Sequence, residues 1–96
     1  MSDEGDDPLV RLLREEISDN DRKIVEALNA RLRLVAKLKR VKEERGLGFV
    51  DAAREEWLFE YLSRENGGPL SAAGLREFYA VLLDLTKREV ASEGNA

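Results

Sequence analysis

The sequence contains neither cysteine nor histidine among its 96 residues. Without cysteine the chain can form no disulfide, no thiolate nucleophile and no thiolate metal site. Without histidine it also lacks the commonest metal ligand and the usual general base. The sequence therefore predicts no metal site and no catalysis through a thiol or an imidazole.

An excess of basic residues is missing as well. The chain has 16 lysines and arginines and 20 aspartates and glutamates, which gives a formal net charge of −4. Four of the acids lie in the first eight residues, so that residues 9–96 carry 16 charges of each sign. Proteins that bind nucleic acid have a clear basic excess, and this composition argues against a nucleic-acid partner.

Long apolar runs are also absent. No stretch approaches the ~20 residues that span a bilayer, and the acidic start is unlike a signal peptide. We therefore expect a cytoplasmic chain with no membrane partner. Residues 1–8, MSDEGDDP, carry four acids and end in proline, and they are expected to form a disordered acidic leader.

The remaining pattern is typical of helices. Glycine and proline are missing from Leu9 to about Arg45, where apolar residues recur at steps of three, four or seven. The GLG segment at 46–48 and the NGGP turn at 66–69 indicate where helices end. The sequence therefore predicts an all-α domain at 9–91, with one long helix at 9–45, two shorter helices at 51–65 and 72–91, and a flexible tail at 92–96.

The first predicted helix is long for the size of the chain. About 37 residues at about 1.5 Å per residue extend over about 55 Å, whereas a compact globule of this size is roughly 30–35 Å across. Part of the apolar side of this helix would remain exposed to water in a single chain. We therefore expect an intertwined homodimer.

Charged residues interrupt the apolar side of the first helix. Written as heptads, its inward positions carry Arg14, Arg31 and Lys42 among aliphatic residues, with Asp21 as the one acid. A buried charge without a partner is costly, and one aspartate neutralises one cation. Either a small ligand with several carboxylates binds these cations, or their long side chains extend over apolar surface into water.

The second and third helices contribute further candidate residues. Asp51 is suited to cap the second helix. Glu55, in the first turn of that helix, shares a face with Leu58 and Leu62, so we expect its carboxylate to point inward toward the cations. Thr86 lies on the apolar side of the third helix, where a threonine hydroxyl most often donates to the carbonyl four residues earlier.

Four segments, in this order, resemble the all-helical class of chorismate mutase, the type II family. They are LREEISDND at 13–21, NARLRLVAKLKRVK at 29–42, VDAARE at 50–55 and NGGPLS at 66–71. The resemblance implies a domain-swapped homodimer with two equivalent sites. It also implies an isomerase of aromatic amino acid biosynthesis, which converts the dicarboxylate chorismate to prephenate and needs no cofactor.

The resemblance assigns the main catalytic roles to three cations and one acid. Arg14, donated by the partner chain, and Arg31 would bind the two carboxylates of the substrate. Lys42 would donate to the ether oxygen, where negative charge develops as the bond to carbon lengthens. Glu55 would orient the substrate hydroxyl.

Three more substrate-binding residues follow from the same resemblance. Asp51 would orient the hydroxyl together with the glutamate of the second helix. Arg54 would support the site. Thr86 would occupy the position of a family Ser or Thr that lies near a carboxylate.

One position departs from the family pattern. The family usually has Gln or Glu four residues after that Ser or Thr, as a second donor to the ether oxygen, and here the residue is Val90. Glu89 would serve instead if the helix were shifted by one residue, with Leu85 in the Ser position. Two alternatives stay open. One is a relative that acts on isochorismate, as a pyruvate lyase, or on an amino-substituted chorismate. The other is a non-catalytic helical dimerisation module.

Overall fold

The computed structural model describes residues 7–94, with side chains as far as residue 91. Within that range it consists of three helices, α1 (Pro8–Glu44), α2 (Ala52–Glu65) and α3 (Ala72–Gly94), and has no strand. The predicted all-α class and order of helices are confirmed. No helix in the described range is both long and apolar enough to cross a membrane. Residues 1–6 of the predicted leader and 95–96 of the predicted tail lie outside it.

The helices begin and end close to the predicted residues. Helix α1 starts one residue earlier than expected because Asp7 caps it, accepting hydrogen bonds from the backbone nitrogens of Leu9 and Val10 at 2.9 and 3.3 Å. Pro8 suits the first helical position, where an N–H would have no partner. Asp7 and Pro8, assigned to the leader from the sequence, therefore begin the helix. Helix α3 continues beyond its predicted end to Gly94.

Helix α1 ends at a glycine with a left-handed backbone. Gly46 has φ of 67°, its N–H donates to the Glu43 carbonyl at 3.2 Å, and the N–H of Leu47 donates to the Lys42 carbonyl at 2.8 Å. This pair of bonds satisfies two carbonyls that the helix end would otherwise leave unpaired. The same bonds hold Lys42 in the last turn, where the helix dipole favours a cation.

Side chains from the connecting segments fix both ends of the α2–α3 connection. Asn66 donates through Nδ2 to the Leu70 carbonyl at 2.9 Å and accepts through Oδ1 from the Gly68 N–H at 3.0 Å. The Ser71 hydroxyl oxygen then accepts from the Gly74 N–H at 2.9 Å and caps α3. The predicted NGGP turn is therefore a short reversal between two capped helices.

Helices α2 and α3 pack on each other. Tyr79 of α3 is buried, its hydroxyl donates to the Glu55 carbonyl at 2.9 Å, and its ring centroid lies 5.7 Å from that of Phe59. The Arg76 guanidinium lies over the Phe59 ring, 4.5 Å from its centroid. The N-terminal part of α2 is therefore held against the middle of α3.

Helix α1 crosses the boundary between two compact units, one ending at Arg33 and the other starting at Leu34. Among the described residues of the first unit no side chain is buried, and Ile17 and Ile24 are each 59% exposed. Four further large apolar side chains of this unit are also exposed: Leu9, Leu12, Leu13 and Val25. The buried side chains belong to the second unit: Ala36, Leu75, Tyr79, Thr86 and Val90.

The glycine at the end of α1 provides a test of the fold. We expect Gly46→Ala to lower the free energy of unfolding by about 1–2 kcal/mol, because a Cβ disfavours the left-handed backbone. Gly48→Ala is the matched control, since its φ is not positive and neither glycine has an atom within 4 Å of an added Cβ. Urea unfolding at one fixed protein concentration measures both. Equal effects of the two substitutions would contradict the assignment.

Candidate active site

Lys42 is the best-defined cation of the candidate site. It is half-buried, in the last turn of α1, and its Nζ lies 3.4 Å from the backbone carbonyl of Phe49. An ammonium group has three N–H donors, so that this contact leaves others for a ligand. The loop between α1 and α2 thus orients the side chain through a main-chain carbonyl.

Asp51 occupies the capping position that the sequence predicts. Its Oδ1 accepts from the Arg54 N–H at 3.1 Å, and its carbonyl accepts from the Glu55 N–H at 3.1 Å. The Arg54 side chain is exposed, with its guanidinium 4.4 Å from the centroid of the Trp57 ring. That ring stacks on Tyr61, with centroids 5.4 Å apart and planes 4° from parallel. The Asp51 carboxylate therefore caps the first turn of α2, and the Arg54 guanidinium lies over the Trp57 ring.

Glu55 is connected to α3 through two of its groups. The main-chain carbonyl accepts the bond from the Tyr79 hydroxyl, and the carboxylate Oε1 lies 3.3 Å from Nζ of Lys87. The Glu55 side chain is 30% exposed and that of Lys87 46%. Reasoning from the sequence missed Lys87. No motif marks it, since the contact depends on the packing of two helices.

Thr86 and Val90 lie together on the buried side of α3. Thr86 is 5% exposed and its hydroxyl donates to the Leu82 carbonyl at 2.6 Å, the local bond expected from the sequence. Val90 is 2% exposed, whereas Glu89 is exposed and Leu85 is half-buried. The buried pair is therefore the threonine and the valine, and the carboxylate of Glu89 is not buried with them.

A groove of about 510 Å³ lies between α2 and α3 in the second unit. Its charged lining consists of Glu55, Glu56 and Glu60 from α2 and Arg76 from α3. Three carboxylates and one guanidinium oppose the binding of a dianion. Residues 7–94 contain no group of three or more acidic side chains that could hold a metal ion.

The candidate residues are divided between the two units of the chain. Arg14 and Arg31 belong to the first unit, where the former is exposed and the latter half-buried. The other seven belong to the second unit: Lys42, Asp51, Arg54, Glu55, Thr86, Glu89 and Val90. Direct contacts connect Asp51 with Arg54 and connect Glu55 with the unpredicted Lys87. The second unit thus carries two of the candidate cations, three acids, a buried hydroxyl and a buried valine.

The chain is similar to known proteins in sequence and in fold. The family model of type II chorismate mutase matches residues 13–90. Two solved structures of chorismate mutase from Thermus thermophilus are similar to the chain. Form I is 32% identical, with a TM-score of 0.77, and the match covers 80% of this chain and 96% of that one. Form II is 30% identical, with a TM-score of 0.80, and the match covers 85% and 93%.

No curated protein matches the chain significantly. The family match nevertheless extends over most of the chain and includes all three helices. The two solved relatives are matched over nearly their full lengths at 30% identity or more. Sequence pattern, helix order and backbone geometry lead to one conclusion: the chain belongs to the type II chorismate mutase family.

Proposed function

We propose that this chain is an isomerase that rearranges chorismate to prephenate, acting as a homodimer with two equivalent sites. The observation that carries the proposal is the family match, because residues 13–90 include all nine candidate site residues. The reaction makes and breaks bonds within one molecule and requires no nucleophile and no proton transfer. A chain without cysteine or histidine is compatible with that chemistry.

The protein has two tasks in such a reaction. It must hold a flexible dicarboxylate in a compact, chair-like shape, which removes much of the entropic part of the barrier. It must also stabilise the ether oxygen while the bond to carbon lengthens and negative charge develops there. Fixed cations and hydroxyl groups accomplish both tasks without changing their own protonation state.

Arg31 and the partner chain's copy of Arg14 bind the two carboxylates in this proposal. Guanidinium groups suit the role because they bind carboxylates with two parallel hydrogen bonds. Support for a second copy comes from the exposed apolar side chains of the first unit, including Ile17 and Ile24. Complete burial of one such side chain contributes about 1.5–3 kcal/mol, so that covering this side favours association.

Lys42 donates to the ether oxygen in this proposal. Its half-buried position and the contact of Nζ with the Phe49 carbonyl restrict where the ammonium group can lie. Asp51 and Glu55 accept from the substrate hydroxyl, and Arg54 supports the site beside them. The Asp51 Oδ1 is already bonded to a backbone N–H, so that its other oxygen serves the substrate.

The buried side of α3 supplies a hydroxyl and an apolar contact. The Thr86 hydroxyl donates to Leu82, and it must exchange that bond to donate to a substrate carboxylate. Because Val90 is buried with Thr86 and Glu89 is exposed, we assign Val90 to the position facing the ether oxygen. Valine has no donor, so that Lys42 is the donor to the ether oxygen in this chain.

Incubation with chorismate, followed by NMR identification of the product, tests the function. Prephenate is expected. Release of pyruvate from isochorismate, with no prephenate from chorismate, would instead identify the lyase activity of a related enzyme. Absence of turnover with both substrates would contradict an enzymatic function and favour a dimerisation module.

Removal of the ammonium group on Lys42 tests its assigned role. We expect Lys42→Ala to lower kcat by about 10²–10³, as loss of one oxyanion-stabilising donor does in other enzymes. Lys37→Ala on the same helix is the control, because Lys37 is exposed and belongs to no candidate site. Activity of the Lys42 variant within about threefold of the control would remove this lysine from the mechanism.

Mixing two inactive variants tests whether sites are shared between chains. Equimolar Arg14→Ala and Lys42→Ala chains, unfolded and refolded together, should regain roughly a quarter of the wild-type sites. Half of the dimers then contain one chain of each variant. Each of these dimers has one site in which both residues are native. No recovery above the separate variants would mean that each site is built from one chain.

The missing donor at Val90 can be supplied. We expect Val90→Gln to raise kcat by about tenfold or more, because its amide adds a second donor to the ether oxygen. Val90→Met is the control, since methionine has nearly the shape of glutamine without the donor. Equal rates for the two variants would show that this position does not face the reacting atoms.

A further inference from the structure

We propose that Lys87 is a positioning residue of this site, which orients the Glu55 carboxylate toward the substrate hydroxyl. The inference rests on the proposed function. Its starting observation is the ion pair between α3 and α2, in which Lys87 Nζ lies 3.3 Å from Glu55 Oε1. No sequence motif and no proposed catalytic role accounts for this lysine.

The position of Lys87 on α3 places it beside the candidate site. It directly follows Thr86, the buried threonine, and it follows Leu83 by one helical turn. Leu83 and Glu55 line the same groove from opposite helices. Lys87 therefore reaches from α3 to the first turn of α2, where the proposed hydroxyl-binding carboxylate lies.

The main chain and the side chain of Glu55 are held by different residues. Tyr79 fixes the main chain through the bond from its hydroxyl to the Glu55 carbonyl. A glutamate side chain has several rotatable bonds beyond that point, and it loses conformational entropy when it is ordered. The contact with Lys87 selects one orientation of the carboxylate before substrate binds.

Charge gives a second reason for a cation at this position. Glu56 and Glu60 of α2 line the groove with Glu55, and Arg76 and Lys87 are cations on the facing helix. Lys87 offsets part of the negative charge that these three glutamates bring to this side of the helix pair, where they disfavour an anionic ligand.

The adjacent residue provides a matched control. Arg88 Nε lies 3.2 Å from Asp84 Oδ2, but this pair joins two exposed residues one turn apart on α3. Such pairs contribute little to stability or to the shape of a site. Removing the charge of Arg88 therefore shows what the loss of a cation from this helix does on its own.

The first measurement compares Lys87→Met with Arg88→Met in the chorismate assay. We expect Lys87→Met to lower kcat/KM about tenfold. Loss of a residue that orients a metal ligand lowers metal affinity or activity by about 10–100-fold, and the expected effect is the lower end of that range. Arg88→Met should stay within about twofold of wild type. Lys87→Arg should retain most of the activity because it keeps the ion pair. Equal losses in the two methionine variants would overturn the proposal.

A double-mutant cycle then tests whether Lys87 acts through Glu55. In a Glu55→Gln background, Lys87→Met should change kcat/KM by less than about twofold, because the charge that the lysine orients is already absent. An undiminished loss in that background would mean that Lys87 contacts the substrate itself, which would also overturn the proposal. Circular dichroism establishes that each variant is folded. Failure of the wild-type chain to convert chorismate is a separate result, which concerns the proposed function.

Discussion

The hydrogen bond from the buried Tyr79 hydroxyl to the Glu55 carbonyl is the contact on which the second unit depends. A buried phenolic hydroxyl without a partner costs about 1–3 kcal/mol, so that the two helices stay in the register that makes this bond. That register brings the first turn of α2 beside the C-terminal half of α3. It thereby brings Glu55 beside Lys87 and along the same helix pair as the buried Thr86.

The chemistry of the proposed site is electrostatic throughout. It consists of guanidinium and ammonium groups, two carboxylates and one hydroxyl. The reaction requires that these groups stay in place and keep their charge. For such a site the decisive quantities are the orientation of each charge and the access of water. This explains why caps and loop contacts matter: the same bonds that end α1 at Gly46 and cap α2 at Asp51 also hold Lys42 and Asp51.

Much of the site was predictable because the relevant signals are local. Asp51 was expected to cap a helix and does so, Thr86 was expected to donate four residues back and does so, and the glycines after α1 end the helix where expected. The start of α1 was missed by one residue because Asp7 and Pro8 were interpreted through the acidic composition around them. Capping by Asp7 is the stronger local signal. The roles of the nine candidate residues remain predictions, as does the dimer.

The sequence by itself determined the helical class, the order and approximate length of the helices, the cap of α2 and the family. These follow from the spacing of apolar residues and from short-range hydrogen bonds, which act within a few residues of chain. Only the tertiary structure decided that Val90 rather than Glu89 is buried with Thr86 and that Lys87 contacts Glu55. Helical periodicity gives the angular spacing of residues on one helix, but it does not determine which side a neighbouring helix covers. That choice depends on contacts between residues far apart in the chain, such as Tyr79 and Glu55.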